Sequence, residues 1–323
     1  MDVPPVGCAS GWEVGAFTTF TTRALPLRCA KPPKSPTTLS SGPTVRGNTL
    51  RTRSHRVSRL SIPAPQRRDL QRDPGDEVLV PRPSYPLFEY LAALESVADR
   101  HYGLFYDHGW FIDFHTIERA INQRTRAIVL VNPNNPTGHF IRRHELDELV
   151  ALCERHDIAI VSDEVFSDYL IEPAPDSVLT LRGVADFALN GLSKLVGLPQ
   201  MKLAWMITKR PMPELEIVAD TYLSVGTPVQ VALPALLELR APVQRQIIER
   251  VRENLAVMPR SLDVEAGWYA IVPVMDEDET VLALLRERNV LVQPGYFYDF
   301  ERSGYIVVSL LTAPEVFARG IGW

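Results

Sequence analysis

The sequence predicts an α/β fold, a three-layer αβα domain built on a mostly parallel central sheet and followed by a smaller C-terminal α+β domain. Three observations predict it. Short apolar runs alternate with helical periodicities from Asp76 to Trp205, the pattern of helices packed on both faces of a sheet. The apolar run Arg126 to Val131 stops abruptly at Asn132-Pro-Asn-Asn-Pro-Thr-Gly138, where two prolines and a glycine forbid its continuation. Two later runs end at Ser162-Asp163-Glu164 and just before Ser193-Lys194, so polar groups gather at successive strand ends.

Taken along the chain, Val78-Leu-Val80 is a short buried strand, and Ala127 to Val131 is the next. Arg142 to His156 sets Leu146, Leu149, Val150 and Cys153 on one helical face. Ile158 to Val161 is a strand that leads into Asp163, and Ala185 to Leu189 is another that leads to Lys194. Leu203 to Ile207 closes this series, and Thr221 to Pro228 reads as a connector. Gln230 to Met258 is helical, but its register drifts past Pro234 and Pro242, which predicts a broken pair of helices. Beyond it, Gly267 to Val272 and Tyr305 to Leu311 read as strands, with Thr280 to Asn289 as a helix between them. The expected division is residues 1–72, a basic segment expected to be disordered from its composition; 73–228, the large domain; and 229–323, the linking helices and small domain.

In an open parallel sheet, ligands bind beyond the carboxyl ends of the strands. Asn135, Asp163 and Lys194 are therefore expected in one crevice. A lysine amine can form a Schiff base with an aldehyde cofactor, and a carboxylate can keep a pyridine nitrogen protonated so that the ring accepts electrons. Singly, each group has an ordinary structural reading: Asn-Pro-Thr-Gly as a turn, a strand-end Asp as a helix cap, a lysine as solvated surface. Their joint occurrence, in this order and at strand ends, is the specific signal.

From about Asp73 to near the C-terminus, these motifs resemble the class I/II, fold-type I pyridoxal phosphate (PLP) aminotransferases. The resemblance implies that Lys194 is the Schiff-base lysine and proton shuttle. It implies that Asp163 pairs with the pyridinium nitrogen, that Asn135 bonds the ring's 3-oxygen and that Tyr85 stacks on the ring. Ser193 adjoins the lysine in the cofactor-binding set, and Lys202 falls where the family usually has an arginine on the phosphate. It further implies an amino-acid donor, a 2-oxo acid acceptor, a homodimer, and neither nucleic acid nor membrane as partner. Two positions depart from the pattern. Phe166 stands where a tyrosine commonly bonds the 3-oxygen, which should raise the pKa of the Schiff base. Val307 stands where many members have a carboxylate-binding arginine, so either another arginine such as Arg302 serves or the substrate is not an ordinary α-amino acid. Other PLP chemistry on the same fold, and a non-catalytic remnant that pairs with an intact paralogue, are the alternatives. A dinucleotide oxidoreductase is disfavoured because no Gly-x-Gly-x-x-Gly follows an early strand.

The net charge of −5 hides two unlike pieces. Residues 1–72 hold twelve basic and three acidic side chains, a balance of +9, whereas the remainder holds 22 basic and 36 acidic, a balance of −14. The first piece also holds nine of the 27 prolines and no sustained period. A transit peptide and a polyanion-binding tail both fit this composition. The reading favoured from the sequence is an alternative-frame translation of a GC-rich gene, because the strand, small-residue turn and phosphate-binding helix that precede Pro-Gly-Asp in the family are not found in Ser54 to Arg72. Reduced activity of the chain as written is the corresponding expectation. Three cysteines without metal-ligand spacing point to a reducing compartment, the cytoplasm, rather than a disulfide or zinc framework.

Overall fold

A computed structural model describes residues 75–209, 211, 212, 215 and 225–321. The expectations for residues 1–72, and for the first four residues of the 221–228 connector, lie outside the described residues.

Seven strands form the main sheet: β1 (Glu77–Arg82), β2 (Ala98–Tyr106), β3 (Trp110–Ile112), β4 (Thr125–Val131), β5 (Ala159–Asp163), β6 (Phe187–Gly191) and β7 (Ala204–Thr208). Their order is β3-β2-β1-β4-β5-β6-β7. The five inner strands are parallel to one another, and the edge strands β3 and β7 are antiparallel to their neighbours. The strand order turns back between β1 and β4, which opens a crevice at their carboxyl ends.

Alternation along each strand sends successive side chains to opposite faces. Leu79, Ile128, Leu130 and Ile160 go to one face, where Leu146, Leu149 and Cys153 of α3 (Arg143–His156) cover them. Val78, Val80, Ala127, Val129, Val161 and Leu189 go to the other. Buried on both sides, these strands read as continuous apolar runs, and each buried Leu, Ile or Val contributes roughly 1.5–3 kcal/mol. Helix α3 starts where Arg142 N donates to Glu145 Oε2 at 2.7 Å. It ends at Asp157, whose left-handed φ of 57° reverses the chain into β5.

Two short helices, α1 (Phe88–Leu94) and α2 (Phe114–Ala120), flank the β2–β3 hairpin, and α4 (Leu192–Leu195) follows β6. The broken helix pair is α5 (Thr227–Glu238), which contains Pro234, and α6 (Arg240–Ala256). Thr227 and Pro228 begin α5 rather than end a connector; proline is tolerated in a first helical turn, where its missing N–H has no partner to lose. A second, antiparallel sheet has the order β8-β10-β9, from β8 (Tyr269–Pro273), β9 (Gln293–Pro294) and β10 (Tyr305–Ser309). Helices α7 (Glu277–Arg288) and α8 (Pro314–Gly320) accompany it, with Leu284 and Phe317 in its core. No helix among the described residues is long and apolar enough to cross a membrane.

Candidate active site

Register brings the polar strand ends together. Val131 pairs with Asp163 and Asp163 with Leu189, so the segments that leave β4, β5 and β6 emerge side by side. Asn132 N donates to Asp163 O at 2.8 Å, closing the first gap.

The loop after β4 is fixed by its own side chains. Asn132 Nδ2 donates to Val178 O at 2.8 Å, and Asn132 Oδ1 accepts from Ile141 N at 2.9 Å. Gly138 N donates to Asn134 O at 2.8 Å, and Thr137 Oγ1 donates to Asn134 Oδ1 at 3.1 Å. Two of the three asparagines are thus consumed in holding the loop. Asn135 differs: its Oδ1 is buried and accepts no hydrogen bond. A buried acceptor left unpaired costs about 1–3 kcal/mol, so this oxygen is poised for a donor.

Asp163 is 4% exposed, and its Oδ1 accepts from Val165 N at 3.1 Å. Burial pushes its carboxyl up to about 7, the neighbouring Glu164 charge adds to this, and the Val165 amide and the Lys194 charge oppose it. The adjacent Glu164 is fully buried but structural, since it accepts from Leu181 N at 2.6 Å, Thr180 Oγ1 at 2.8 Å and Arg182 Nε at 3.2 Å.

Lys194 sits on the single turn α4, just after β6. Its carbonyl accepts from Tyr169 Oη at 2.5 Å, which fixes the backbone. Its Nζ lies 5.6 Å from the Phe166 ring centroid and 5.1 Å from that of Trp268, an aromatic wall that attracts a cation. Phe166 and Trp268 meet edge to face at 5.2 Å. Glycine is required just upstream, since a Cβ on Gly191 would lie 2.9 Å from Ala204 Cα on β7.

The other sequence-derived residues lie as follows. Tyr85 follows β1 on the same side of the sheet; it is 38% exposed, with its ring 6.4 Å from that of Tyr298. Ser193 is half-buried beside Lys194, and Lys202 is exposed, with a left-handed φ of 48°, two residues before β7 begins at Ala204. Val307 is buried in β10 in a separate apolar cluster with Trp110, Ile271 and Tyr298, and Arg302 is exposed in the turn before that strand. Sequence reasoning missed Trp268 and Tyr169. The only signal for Trp268 was an aromatic pair inside an apolar run, which read as ordinary strand. Among the described residues no group of His, Cys, Asp and Glu could hold a metal ion.

A carboxyl held near neutrality, an amine beside it and an unpaired amide oxygen in the loop after β4 can together receive an aromatic ring that presents a cationic N–H, a carbonyl carbon and a hydroxyl.

Comparison with known proteins gives a consistent picture. The family model for aminotransferase class I and II matches residues 69–316. Glutamate-pyruvate aminotransferase AlaA of Haemophilus influenzae is 28% identical over 269 residues, which is 75% of this chain and 66% of that protein. Nicotianamine aminotransferase A of Hordeum vulgare is 26% identical over 282 residues, 78% of this chain and 61% of that protein. The chain therefore spans less than two thirds of the length of these relatives. Among solved structures, alanine aminotransferase from Pyrococcus furiosus superposes with a TM-score of 0.66 at 26% identity, covering 77% of this chain and 69% of that one.

Proposed function

This chain belongs to the aminotransferase class I and II family, and from that premise we propose that it binds pyridoxal 5′-phosphate and moves an amino group from an amino acid to a 2-oxo acid. The observation that carries the reading is the Asp163–Lys194 arrangement at the adjacent ends of β5 and β6, with the acid raised to about 7 by burial. The residues present fit the cofactor: Asn135 Oδ1 is buried with no donor facing it, and the desolvated Asp163 carboxyl, which accepts from the Val165 amide, would face the cation that the ring nitrogen offers. When bound, it supplies an aldehyde that condenses with amines and a ring that accepts an electron pair.

The chain's own groups then divide the work. Asp163 holds a proton at the ring nitrogen, because in a dry site the ionised carboxylate is stabilised only by a cation facing it. Asn135 orients the ring through its amide, and Tyr85 covers one ring face. The Lys194 amine would hold the cofactor's aldehyde, and the same amine would serve as the base that moves a proton at the substrate's α-carbon. Phe166 and Trp268 exclude water from that amine. Ser193 and Lys202 belong to the cofactor-binding set; lysine brings a point charge to a phosphate where arginine would bring a two-pronged fork. In the same reading, residues 73–228 form the cofactor-binding domain and 229–323 the linking helices and small domain, and two copies assemble as a cytoplasmic homodimer.

Amino transfer is distinguished from elimination or decarboxylation by its products. Incubation with excess cofactor and a set of amino acids should give pyridoxamine phosphate and the matching 2-oxo acid in equal amounts; release of ammonia or carbon dioxide instead would sink the transfer reading. Phe166 offers a second check. Its ring is 4% exposed and lies against Lys194. Phe166→Tyr adds a hydroxyl donor at that wall, and the pH midpoint of the bound cofactor's visible absorbance should fall by about one unit, the equivalent of one charge-assisted hydrogen bond of roughly 1.4 kcal/mol. An unmoved midpoint would mean that Phe166 does not face the ring oxygen.

A further inference from the structure

The loop that carries Asn135 and the wall that covers Lys194 come from distant parts of the chain, and the structure joins them through buried charge. Arg142, four residues beyond Gly138, donates from Nη1 to Glu265 Oε2 at 2.9 Å and from Nη2 to Glu265 Oε1 at 2.5 Å. Ser177 Oγ accepts from Arg142 Nη1 at 2.5 Å and donates to Glu265 Oε2 at 2.8 Å. Both charged residues are buried, at 5% and 8% exposure. Burial alone would push the Glu265 carboxyl up, but His139, Arg142 and Ser177 outweigh it and hold it down at about 2. His139 lies between two acids, its Nε2 3.8 Å from Glu145 Oε2 and its Nδ1 3.8 Å from Glu265 Oε1.

Each end of this pair is tied to the candidate site. On one side, Gly138 packs so closely on the 264–266 segment that a Cβ there would stand 2.5 Å from Ala266 O. On the other, Glu265 O accepts from Ile171 N and Gly267 N donates to Tyr169 O, both at 2.9 Å. Trp268, three residues past Glu265, lies over Lys194. Tyr169 also holds the Lys194 carbonyl.

We propose that the Arg142–Glu265 pair is a buried latch that clamps the Asn132–Gly138 loop against the aromatic wall over Lys194, making both residues positioning residues for the reaction. A buried ion pair contributes little net stability, because desolvation offsets most of its Coulombic gain; an apolar pair of similar volume is often as stable. What the two-pronged guanidinium–carboxylate contact does supply is a fixed distance and angle. The positioning role rests on the transferase reading of the same site, whereas the latch itself does not.

That difference makes a test. The double substitution Arg142→Met with Glu265→Leu removes both charges together, so the chain should keep its thermal midpoint within a few degrees. In the cofactor-free full chain, hydrogen exchange at peptides covering 132–142 and 264–272 should rise about tenfold together, while peptides in β1 and β2 stay unchanged. With cofactor and substrate, kcat should fall about tenfold with KM changed less than threefold, the split expected when a site is loosened rather than emptied. Should the double variant fold poorly, Arg142→Lys keeps the charge and loses the fork, and should raise exchange in the same two peptides. Unchanged exchange in both peptides in a folded variant would overturn the latch. Raised exchange with kcat unchanged would overturn the positioning role. A parent chain that transfers no amino group overturns the transferase reading, and the exchange comparison still decides the latch.

Discussion

Asp163→Asn should leave the cofactor-free chain more stable above neutral pH and at the same time nearly abolish amino transfer. The sign follows from burial. The Asp163 carboxyl titrates near 7 in the folded chain against about 3.9 in an unfolded one. A raised carboxyl favours the folded state fully below the unfolded value, and that advantage is lost as pH climbs from about 4 through about 7. The loss amounts to something on the order of 4 kcal/mol. Asparagine has no proton to lose, so this part of the pH dependence should vanish, and above pH 7 the variant should resist denaturant better than the parent. The cofactor sees the opposite effect. Removing one member of a buried charge pair costs about 3–5 kcal/mol, so turnover should drop by roughly 10²–10⁴. Denaturation curves of the cofactor-free parent and variant from pH 5 to 9 check the first half, and single-turnover absorbance changes check the second. Parallel pH curves would mean that Asp163 is not the desolvated acid of the site.

Gly138→Ala should be the most damaging single methyl addition in the loop after β4. Gly138 has a φ of +70°, where a residue with a Cβ pays about 1–2 kcal/mol, and the new Cβ would fall 2.5 Å from Ala266 O. Forcing the two segments apart adds about 1–3 kcal/mol, for a total of roughly 2–5 kcal/mol. Gly183 supplies the control: its φ is +89°, but no atom lies within 4 Å of a Cβ built there. Gly183→Ala should therefore show the backbone term alone. The difference between the two midpoints in urea measures the close approach of loop and wall; equal losses would remove the evidence that the Asn135 loop rests on the 264–266 segment.

The parts of this molecule legible in the sequence are those whose signals are local. The β4–loop–α3–β5 unit was read to within two residues at each end, because a doubly buried strand is an unbroken apolar run and the Asn-Pro-Thr-Gly loop carries its own stop signals. The β6 strand begins at Phe187 rather than Ala185, since Asp186 Oδ2 accepts from Ile160 N and stays at the strand's entrance. The β2–β3 hairpin was not foreseen. Its longer strand, Ala98–Tyr106, mixes exposed Arg100 and Phe105 with buried Tyr102 and has Gly103 in its middle, so no clean period survives. Helices α1, α2 and α8 are seven residues each, too short for a helical period to stand out. In the site, residue types and strand ends located Asn135, Asp163 and Lys194. Nothing local could announce that Arg142 meets Glu265, 123 residues away, or that Trp268 lies over Lys194. Those contacts exist only once the second sheet is packed against the first.

The central claim is that the Lys194 amine is the covalent anchor for the cofactor, and its most direct test is chemical. The purified chain is saturated with pyridoxal phosphate, reduced with borohydride and digested with trypsin, and the mass of the peptide containing Lys194 is measured. A pyridoxyl adduct on Lys194, absent from a Lys194→Ala variant that retains the same circular dichroism, is the predicted result. A folded parent chain that carries no adduct, or carries it equally on a surface lysine such as Lys209, would contradict the account.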